Sequence, residues 1–243
     1  QDDAVATLRR AAASPGTSAM THAWLITGPP GSGRSNLAFA FATALLSAPG
    51  TIDERVAIQV AARTHPDLVV LATEGVTIRI DAARDAVQRA SLSPASSRHR
   101  VVVVEDADRM VERTSNTLLK ALEEPPEDTV WILCAPGESD LLPTIRSRVR
   151  TVSLGVPDPE AVARLLVERD GVDPALAAQV AREAQSHIGM ARRLATNDEA
   201  RARRVETLDV ALRVQTAGHA VLAAARYVEI AGADAEALGA DQD

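Results

Sequence analysis

The chain has 243 residues, of which 46% are hydrophobic and only 2% aromatic, so its core must be packed from aliphatic side chains. The formal net charge of −7 argues against a protein that coats nucleic acid by charge alone, and a single cysteine excludes a disulfide framework and a thiolate metal site. No apolar stretch reaches the roughly 18 residues that a membrane span requires, and no secretory signal is visible. We therefore expect a cytoplasmic protein without a zinc site or a membrane partner.

The first half of the chain alternates helix-like and strand-like segments. Helices are predicted over 5–13, 35–46, 53–63, 81–90 and 115–124, and strands over 24–27, 68–71, 101–104 and 130–134. Asp81 is expected to cap its helix, because its short carboxylate can accept from the free N–H groups of the first turn. The strands are continuous apolar runs, typical of strands buried on both faces, so the pattern predicts an α/β domain with a parallel sheet.

Only helical signals follow after about Val152. The run Pro157-Asp158-Pro159 opens a helix, with Asp158 as its cap and Pro159 in the first turn, and further helices are predicted over 173–185 and 187–196. A charged helix begins at Glu199. Its arginines either contact DNA or lie on a solvated helix face, and the acidic character of the chain favours the solvated face: Arg201, Arg203 and Arg204.

A glycine-rich loop lies between the first strand and the following helix. Its sequence is Gly28-Pro29-Pro30-Gly31-Ser32-Gly33-Arg34-Ser35, and this context is the one that a phosphate-binding loop requires. The candidate binding residues are Gly28, Gly31, Gly33, Arg34 and Ser35. Arg34 stands where the pattern has lysine, and a long planar guanidinium is not equivalent to a compact ammonium. The loop therefore either binds nucleotide or only retains its shape as a connector.

A second motif follows the strand 101–104, where the sequence continues with Glu105-Asp106. A P-loop ATPase ends this strand with Asp, for the Mg²⁺ shell, and then Glu, which positions the attacking water. The order here is reversed, and a carboxylate misplaced by about 1 Å can cost on the order of 10²-fold in rate. The pair is either a degraded acidic motif or a polar strand end, and its spacing from the loop favours the degraded motif.

Four further segments resemble those of bacterial clamp-loader subunits, a family of AAA+ proteins. They are Gln1-Asp2-Asp3, His22-Ala23-Trp24-Leu25, the run from Asn116 to Pro126, which is similar to N-A-L-L-K-x-L-E-E-P-P, and Thr144-Ile145-Arg146-Ser147-Arg148-Val149. The resemblance covers about residues 1–215. Within this family, the segments resemble those of delta-prime-type subunits of DNA polymerase III. Arginine at position 34 resembles the actinobacterial members.

The resemblance implies an AAA+ domain over 1–153, a small helical lid over 154–197, and the start of a helical collar over 198–243, which is truncated. It also exposes departures from the ATP-hydrolysing gamma/tau subunits. A polar sensor residue is replaced at Ala135-Pro136, a lid arginine is replaced by Gly189, and residues 47–65 lack the cysteines of a zinc module. Together with Arg34 and the Glu105-Asp106 order, these changes predict a subunit that requires no cofactor and does not hydrolyse ATP by itself.

Ser147 and Arg148 are the catalytic motif that this chain retains. The resemblance implies that Arg148 acts in trans, as an arginine finger on the ATP of an adjacent subunit. The function expected is that of a non-motor, accessory subunit of the DNA polymerase III holoenzyme, with gamma/tau and delta subunits, the beta sliding clamp and primed DNA as partners. The alternatives are an active ATPase of the gamma/tau type and a P-loop kinase acting on a small molecule.

Overall fold

The computed structural model describes residues 2–14, 16–73 and 75–240, with side chains as far as residue 235. The resemblance at Gln1, and the end of the segment 198–243, lie outside the described residues. The chain divides into two compact units, Gln1–Val156 and Pro157–Asp243. The separate boundaries predicted for lid and collar stay predictions.

The first unit alternates helices and strands, as predicted. Two short 3₁₀ turns, Ala107–Arg109 and Glu138–Asp140, supplement the regular elements. These elements are α1 (Asp2–Ala13), β1 (Ala23–Thr27), α2 (Arg34–Leu46), α3 (Glu54–Ala61), β2 (Leu68–Leu71), α4 (Ile80–Ala90), β3 (Arg100–Val104), α5 (Glu112–Glu123), β4 (Thr129–Ala135), α6 (Pro143–Arg146) and β5 (Arg150–Ser153).

The five strands form one parallel sheet in the order β2-β3-β4-β1-β5. Successive residues of each central strand point to opposite faces, and both faces are covered. On β3, Val101 and Val103 pack into the core on the side of α1 and α2, whereas Val102 and Val104 pack into the core on the side of α4 and α5. This double burial explains why the strands are continuous apolar runs, and it confirms the predicted α/β class with a parallel sheet.

Two local predictions in this unit are wrong. Asp81 does not cap α4, because the helix begins at Ile80 with Arg79 as the preceding residue, and no side chain caps it. Asp81 instead forms a two-bonded ion pair with Arg79, which lowers the pKa of the carboxyl. Helix α5 begins at Glu112, three residues earlier than Ser115, and its first turn is closed by the Thr114 and Ser115 N–H groups, which both donate to the Val111 carbonyl oxygen at 2.9 Å.

The second unit contains helices alone among its described residues. They are α7 (Pro159–Asp170), α8 (Pro174–Glu183), α9 (Ile188–Thr196), α10 (Asp198–Leu212) and α11 (Ala217–Ala240). The Asp158 carboxylate accepts from the Glu160 N–H at 3.1 Å, which confirms the predicted cap. Leu166, Val180 and Leu194, from α7, α8 and α9, share one apolar core. Helix α11 has no counterpart among the helices predicted from sequence.

The prediction of a solvated face on α10 is wrong for its three arginines. Arg201 donates to the Leu194 and Ala195 carbonyl oxygens, and Arg204 donates to the Glu183 carbonyl oxygen. Arg203 binds the Asp234 carboxylate of α11, and only 17% of its side chain is exposed. These guanidinium groups connect helices to one another, so they belong to the packing of the unit.

Among the described residues, no helix has the length and apolar character needed to cross a bilayer.

Candidate functional site

The glycine-rich loop joins β1 to α2, and its conformation depends on its glycines. Gly31 and Gly33 have φ angles of 79° and 91°, in the left-handed region that other residues adopt at a cost. A Cβ atom on Gly28 would lie 2.8 Å from the Leu154 carbonyl oxygen and 2.7 Å from the Ser32 Oγ, so only glycine fits there. The loop therefore has the tight backbone of a phosphate-binding loop, with α2 beginning directly after it.

Arg34 folds back onto this loop. Its Nη1 donates to the Gly28 carbonyl oxygen at 2.5 Å, and its side chain is half-buried at the first position of α2. Ser35 is also half-buried, in the first turn of the same helix. The guanidinium thus binds the backbone of the loop, in the region where an ATPase keeps its lysine for the phosphates.

Glu105, the residue after β3, is bound by a cation of the chain itself. The Arg63 Nη2 lies 2.6 Å from the Glu105 Oε1, and only 14% of the Glu105 side chain is exposed. Arg63 follows α3 with a left-handed φ of 56°, and its guanidinium lies 5.5 Å from the centre of the Phe39 ring. Sequence reasoning missed Arg63, and nothing in its local sequence marks it as part of this site.

The loop and the acidic residues lie close to one another around Cys134 of β4. Burial raises the pKa of this thiol to about 12, with the Arg34 charge opposing the shift and the Glu105 and Asp106 charges adding to it. The structure therefore brings together the predicted residues Arg34, Glu105 and Asp106, although β4 separates β1 from β3 in the sheet. At this pKa the thiol is neutral and unreactive near neutral pH.

Two groups at the positions of an ATPase's nucleotide-binding residues contact other parts of this chain. A metal-binding carboxylate has to be open to the metal, whereas the Glu105 carboxylate is paired with Arg63 at 2.6 Å. The lysine that would reach the β- and γ-phosphates is replaced by Arg34, which is bound to Gly28. Among residues that the structure describes, no cluster of three or more His, Cys, Asp or Glu side chains could hold a metal ion.

The positions expected of sensor residues carry no polar side chain. Ala135 ends β4 fully buried, and the Pro136 carbonyl oxygen accepts from the Gly28 N–H at 3.2 Å, so this segment supports the loop through its backbone. In the second unit, Gly189 lies in the first turn of α9, where a Cβ would have ordinary contact distances to His187. Glycine at 189 is thus not required by packing.

The second predicted site residue group is Ser147 and Arg148, the two residues that follow α6. Ile145 of this short helix is fully buried and anchors it to the sheet, while Ser147 and Arg146 are exposed. The Arg148 Nη1 donates to the Thr144 carbonyl oxygen at 2.6 Å and to the Ser147 Oγ at 3.0 Å. About a third of the Arg148 side chain is exposed, so the guanidinium is held in place and still accessible.

A carboxylate of α5 completes the surroundings of Arg148. The Glu123 Oε1 lies 2.6 Å from the Arg148 Nη2, and 45% of the Glu123 side chain is exposed. Glu123 belongs to the Asn116–Pro126 run, but the sequence gives no sign that it contacts Arg148. The candidate site thus consists of two regions of the first unit: a loop region bound by its own arginines, and a surface arginine held by three oxygen acceptors.

Comparison with known proteins places the chain in a family. Residues 1–158 match the family described as "DNA polymerase III, delta subunit". The delta-prime subunit of DNA polymerase III from Pseudomonas aeruginosa is 42% identical over 151 residues, covering 59% of this chain and 45% of that protein. The gamma/tau subunit from Mycobacterium tuberculosis is 32% identical over 165 residues, covering 63% of this chain and 28% of that protein.

Among solved structures, a DNA polymerase III gamma subunit-related protein from Thermotoga maritima aligns with a TM-score of 0.55 at 24% identity, covering 91% of this chain and 70% of that one. This likeness shows the fold, which is that of AAA+ proteins. The chain spans about half the length of the curated delta-prime relatives that it matches. The family match spans the whole first unit, with the loop, α5 and Arg148 inside it, and shows that the chain belongs to the delta-prime family of DNA polymerase III clamp-loader proteins.

Proposed function

We propose that this chain is the non-motor subunit of a DNA polymerase III clamp loader, and that it supplies Arg148 to the ATP site of an adjacent subunit. The observation that carries the proposal is a contrast within one unit. In the chain's own loop region Arg34 binds the Gly28 carbonyl oxygen and Arg63 pairs with Glu105, whereas about a third of the Arg148 side chain is exposed on the surface. An arginine retained without an active site of its own suits a role toward a neighbour.

The loop region supports the first half of the proposal, which is the lack of turnover. ATP hydrolysis requires a cation that contacts the γ-phosphate and a carboxylate that positions the attacking water or the metal ion. Arg34 is bound to the Gly28 carbonyl oxygen and Glu105 is bound to Arg63, so both groups would have to leave strong contacts before acting. The chain is accordingly proposed to need neither ATP nor zinc and not to be an enzyme by itself.

The surroundings of Arg148 support the second half. A catalytic arginine is effective when its position is fixed before the reaction, because no reorganisation is then needed as charge develops. Thr144, Ser147 and Glu123 fix two nitrogens of the guanidinium, and Ile145 anchors the helix that carries the motif. An arginine supplied in trans contributes about 10³–10⁵ in rate in well-studied GTPases.

The partners proposed follow from the family. They are the gamma/tau subunits, whose ATP Arg148 would face, the delta subunit, and through the assembled ring the beta sliding clamp and primed DNA. The complex would act in the bacterial cytoplasm, where it loads the clamp for replication. The second candidate is an active ATPase of the gamma/tau type, which the 32% identity with the mycobacterial gamma/tau subunit favours.

The decisive experiment is Arg148→Ala in a complex reconstituted with gamma/tau and delta, compared with Arg146→Ala. Arg146 is exposed and only two residues away, so its removal changes the same local charge without touching the proposed finger. We expect Arg148→Ala to assemble normally and to lower clamp- and DNA-stimulated ATP hydrolysis only in part, because one ATP site loses its arginine while the other sites keep theirs. Clamp loading is expected to fall more steeply if the sites act in concert.

Two outcomes would decide against the proposal. If Arg148→Ala and Arg146→Ala complexes both match the wild type in hydrolysis and loading, Arg148 is an ordinary surface arginine. If the isolated chain hydrolyses ATP at a rate typical of gamma/tau subunits, and Arg34→Ala abolishes that activity, the gamma/tau-type candidate is correct.

A further inference from the structure

Two arginines line a cavity in the second unit that the proposed function does not use, and a third lies next to one of them in the chain. The cavity has a volume of about 200 Å³, and its lining includes Arg193 of α9, Arg204 of α10 and Asp234 of α11. Arg203, next to Arg204, binds the same Asp234 carboxylate. We call this group of four side chains the arginine cavity.

The acceptors within the arginine cavity are few. Arg193 Nη2 and Arg203 Nε lie 3.0 and 2.8 Å from the same oxygen, Asp234 Oδ1. Arg203 Nη1 has a weak contact of 3.4 Å with Glu199, whose side chain is 83% exposed, and Arg204 donates to the Glu183 carbonyl oxygen. Among the described residues, Arg193 and Arg203 thus share one carboxylate oxygen at close range, and Arg204 is bound to a neutral backbone oxygen.

The remaining donors are buried. Arg193 Nε, Arg203 Nη2 and Arg204 Nε are shielded from solvent and have no acceptor among the described residues. Only 15% of the Arg193 side chain and 17% of the Arg203 side chain are exposed. A buried charged donor without an acceptor is costly, and the three arginines outnumber the two carboxylates beside them, Asp234 and the exposed Glu199. A group that brings both acceptor oxygens and negative charge would remove both penalties.

We propose that the arginine cavity binds a small oxyanion, of the kind represented by a phosphate group. Guanidinium groups offer planar pairs of N–H donors that match phosphate oxygens, and such charge-assisted hydrogen bonds are about twice as strong as neutral ones. Since a liquid water molecule takes up about 30 Å³, the cavity has room for a tetrahedral anion. Water alone supplies acceptors but not the missing negative charge.

Titration of the intact chain distinguishes specific binding of an anion in the cavity from a general effect of salt. Isothermal titration calorimetry with sodium phosphate, at constant ionic strength set by sodium chloride, is expected to show saturable binding of one anion per chain. Sodium sulfate is expected to bind at the same site, and glycerol phosphate tests whether a phosphate monoester also enters. Binding of the monoester but not of inorganic phosphate would assign the site to a phosphorylated molecule. No saturable binding of any of the three anions would overturn the proposal.

Variants connect the binding to these residues. Arg204→Gln is expected to weaken phosphate binding about tenfold, the effect of losing one hydrogen bond to a charged group. Arg213→Gln is the matched control, because Arg213 follows the same helix, is 77% exposed and forms an ion pair with Asp209; its phosphate affinity should equal that of the wild type. Equal weakening in both variants would mean that phosphate responds to net charge and not to the cavity.

A third variant works in the opposite direction and does not depend on removing an arginine. Asp234→Asn takes away the one carboxylate that competes with an incoming anion, so it is expected to tighten phosphate binding several-fold, provided that circular dichroism shows intact helices. If Arg204→Gln fails to fold, this variant still tests the proposal. Unchanged or weaker binding in folded Asp234→Asn would contradict it.

Discussion

Replacing Asp67 with alanine is expected to destabilise the first unit strongly, although Asp67 lies outside the candidate site. The carboxylate is fully buried between β2 and β3. It accepts from the backbone N–H groups of Ala95, Ser96 and Ser97 and from the Ser96 hydroxyl, at 2.6 to 2.9 Å. It also pairs with Arg100, whose side chain is 7% exposed, at 3.3 Å. The carboxylate thus fixes the loop that leads into β3.

The size of the effect follows from what the mutation leaves behind. Removing one member of a buried ion pair costs about 3–5 kcal/mol, because the partner charge remains buried without compensation. Here three backbone donors would lose their acceptor, and the Arg100 guanidinium would lose its carboxylate partner and keep only the neutral Leu92 and Ser93 carbonyl oxygens among the described contacts. At about 2–4 °C per kcal/mol for a unit of this size, the melting temperature should fall by about 6–20 °C.

The assay is thermal and urea unfolding of the wild type, Asp67→Ala and the control Asp85→Ala. Asp85 is on the surface of α4, with 65% of its side chain exposed, and a distant 3.9 Å contact with Arg89. The control is expected to change stability by less than about 0.5 kcal/mol. If Asp67→Ala melts within about 2 °C of the wild type, the loop is not held by this carboxylate and the reasoning is refuted.

The pH dependence gives a second measure of the same carboxylate. Burial by itself would raise the pKa of Asp67, but the hydrogen bonds from Ala95, Ser96 and Ser97 together outweigh it and lower the pKa below the ordinary 3.8. A carboxyl group with a lowered pKa stabilises the folded state above its unfolded pKa, and this contribution is lost as the pH falls through the folded value. The stability difference between wild type and Asp67→Ala should therefore be constant above about pH 5 and shrink below about pH 4.

Three further predictions concern the candidate site. Arg63→Gln should lower the free energy of unfolding by about 1 kcal/mol, because it leaves the mostly buried Glu105 carboxylate unpaired. Adding Glu105→Gln to the same chain should recover part of this loss. Additive effects of the two changes in urea unfolding would show that the residues do not interact. Glu123→Gln should leave the melting temperature within about 2 °C of the wild type, because half-exposed ion pairs contribute about 0.2–1 kcal/mol. It should nevertheless lower the ATPase activity of the reconstituted complex. Wild-type activity of that complex would mean that Glu123 does not position Arg148. Elemental analysis of the purified chain should find no stoichiometric zinc, and one zinc per chain retained through dialysis against chelator would contradict the expectation.

Much of the fold could be predicted because its signals are local. The apolar run of β3 and the glycine loop before α2 lie within short segments, and a strand buried on both faces cannot tolerate polar residues on either. The Asp158 cap was predictable for the same reason, since its partner is two residues away. The Asp81 cap was not, because Arg79 competes for the carboxylate and the helix begins one residue earlier.

The arginines of α10 illustrate where local reasoning fails. Their spacing is that of an exposed charged face, and nothing in the sequence shows that Asp234 or the Glu183 carbonyl oxygen lies within reach. A long side chain can bury its stem and bind a distant acceptor, so the position of its charge depends on which helices pack beside it. The sequence analysis also did not predict α11, and Asp234 lies on that helix, so the partner of these arginines could not be identified from sequence.

By itself, the sequence determined the alternation of strands and helices, the shape of the glycine loop and the family, because each depends on contiguous residues whose spacing is read directly. Only the tertiary structure decided which charges meet: Arg63 with Glu105, Glu123 with Arg148, and Arg193 and Arg203 with Asp234. The physical reason is that an ion pair requires two side chains within about 4 Å. For residues far apart in the chain, that distance is set by the strand order β2-β3-β4-β1-β5 and by helix packing, not by sequence spacing.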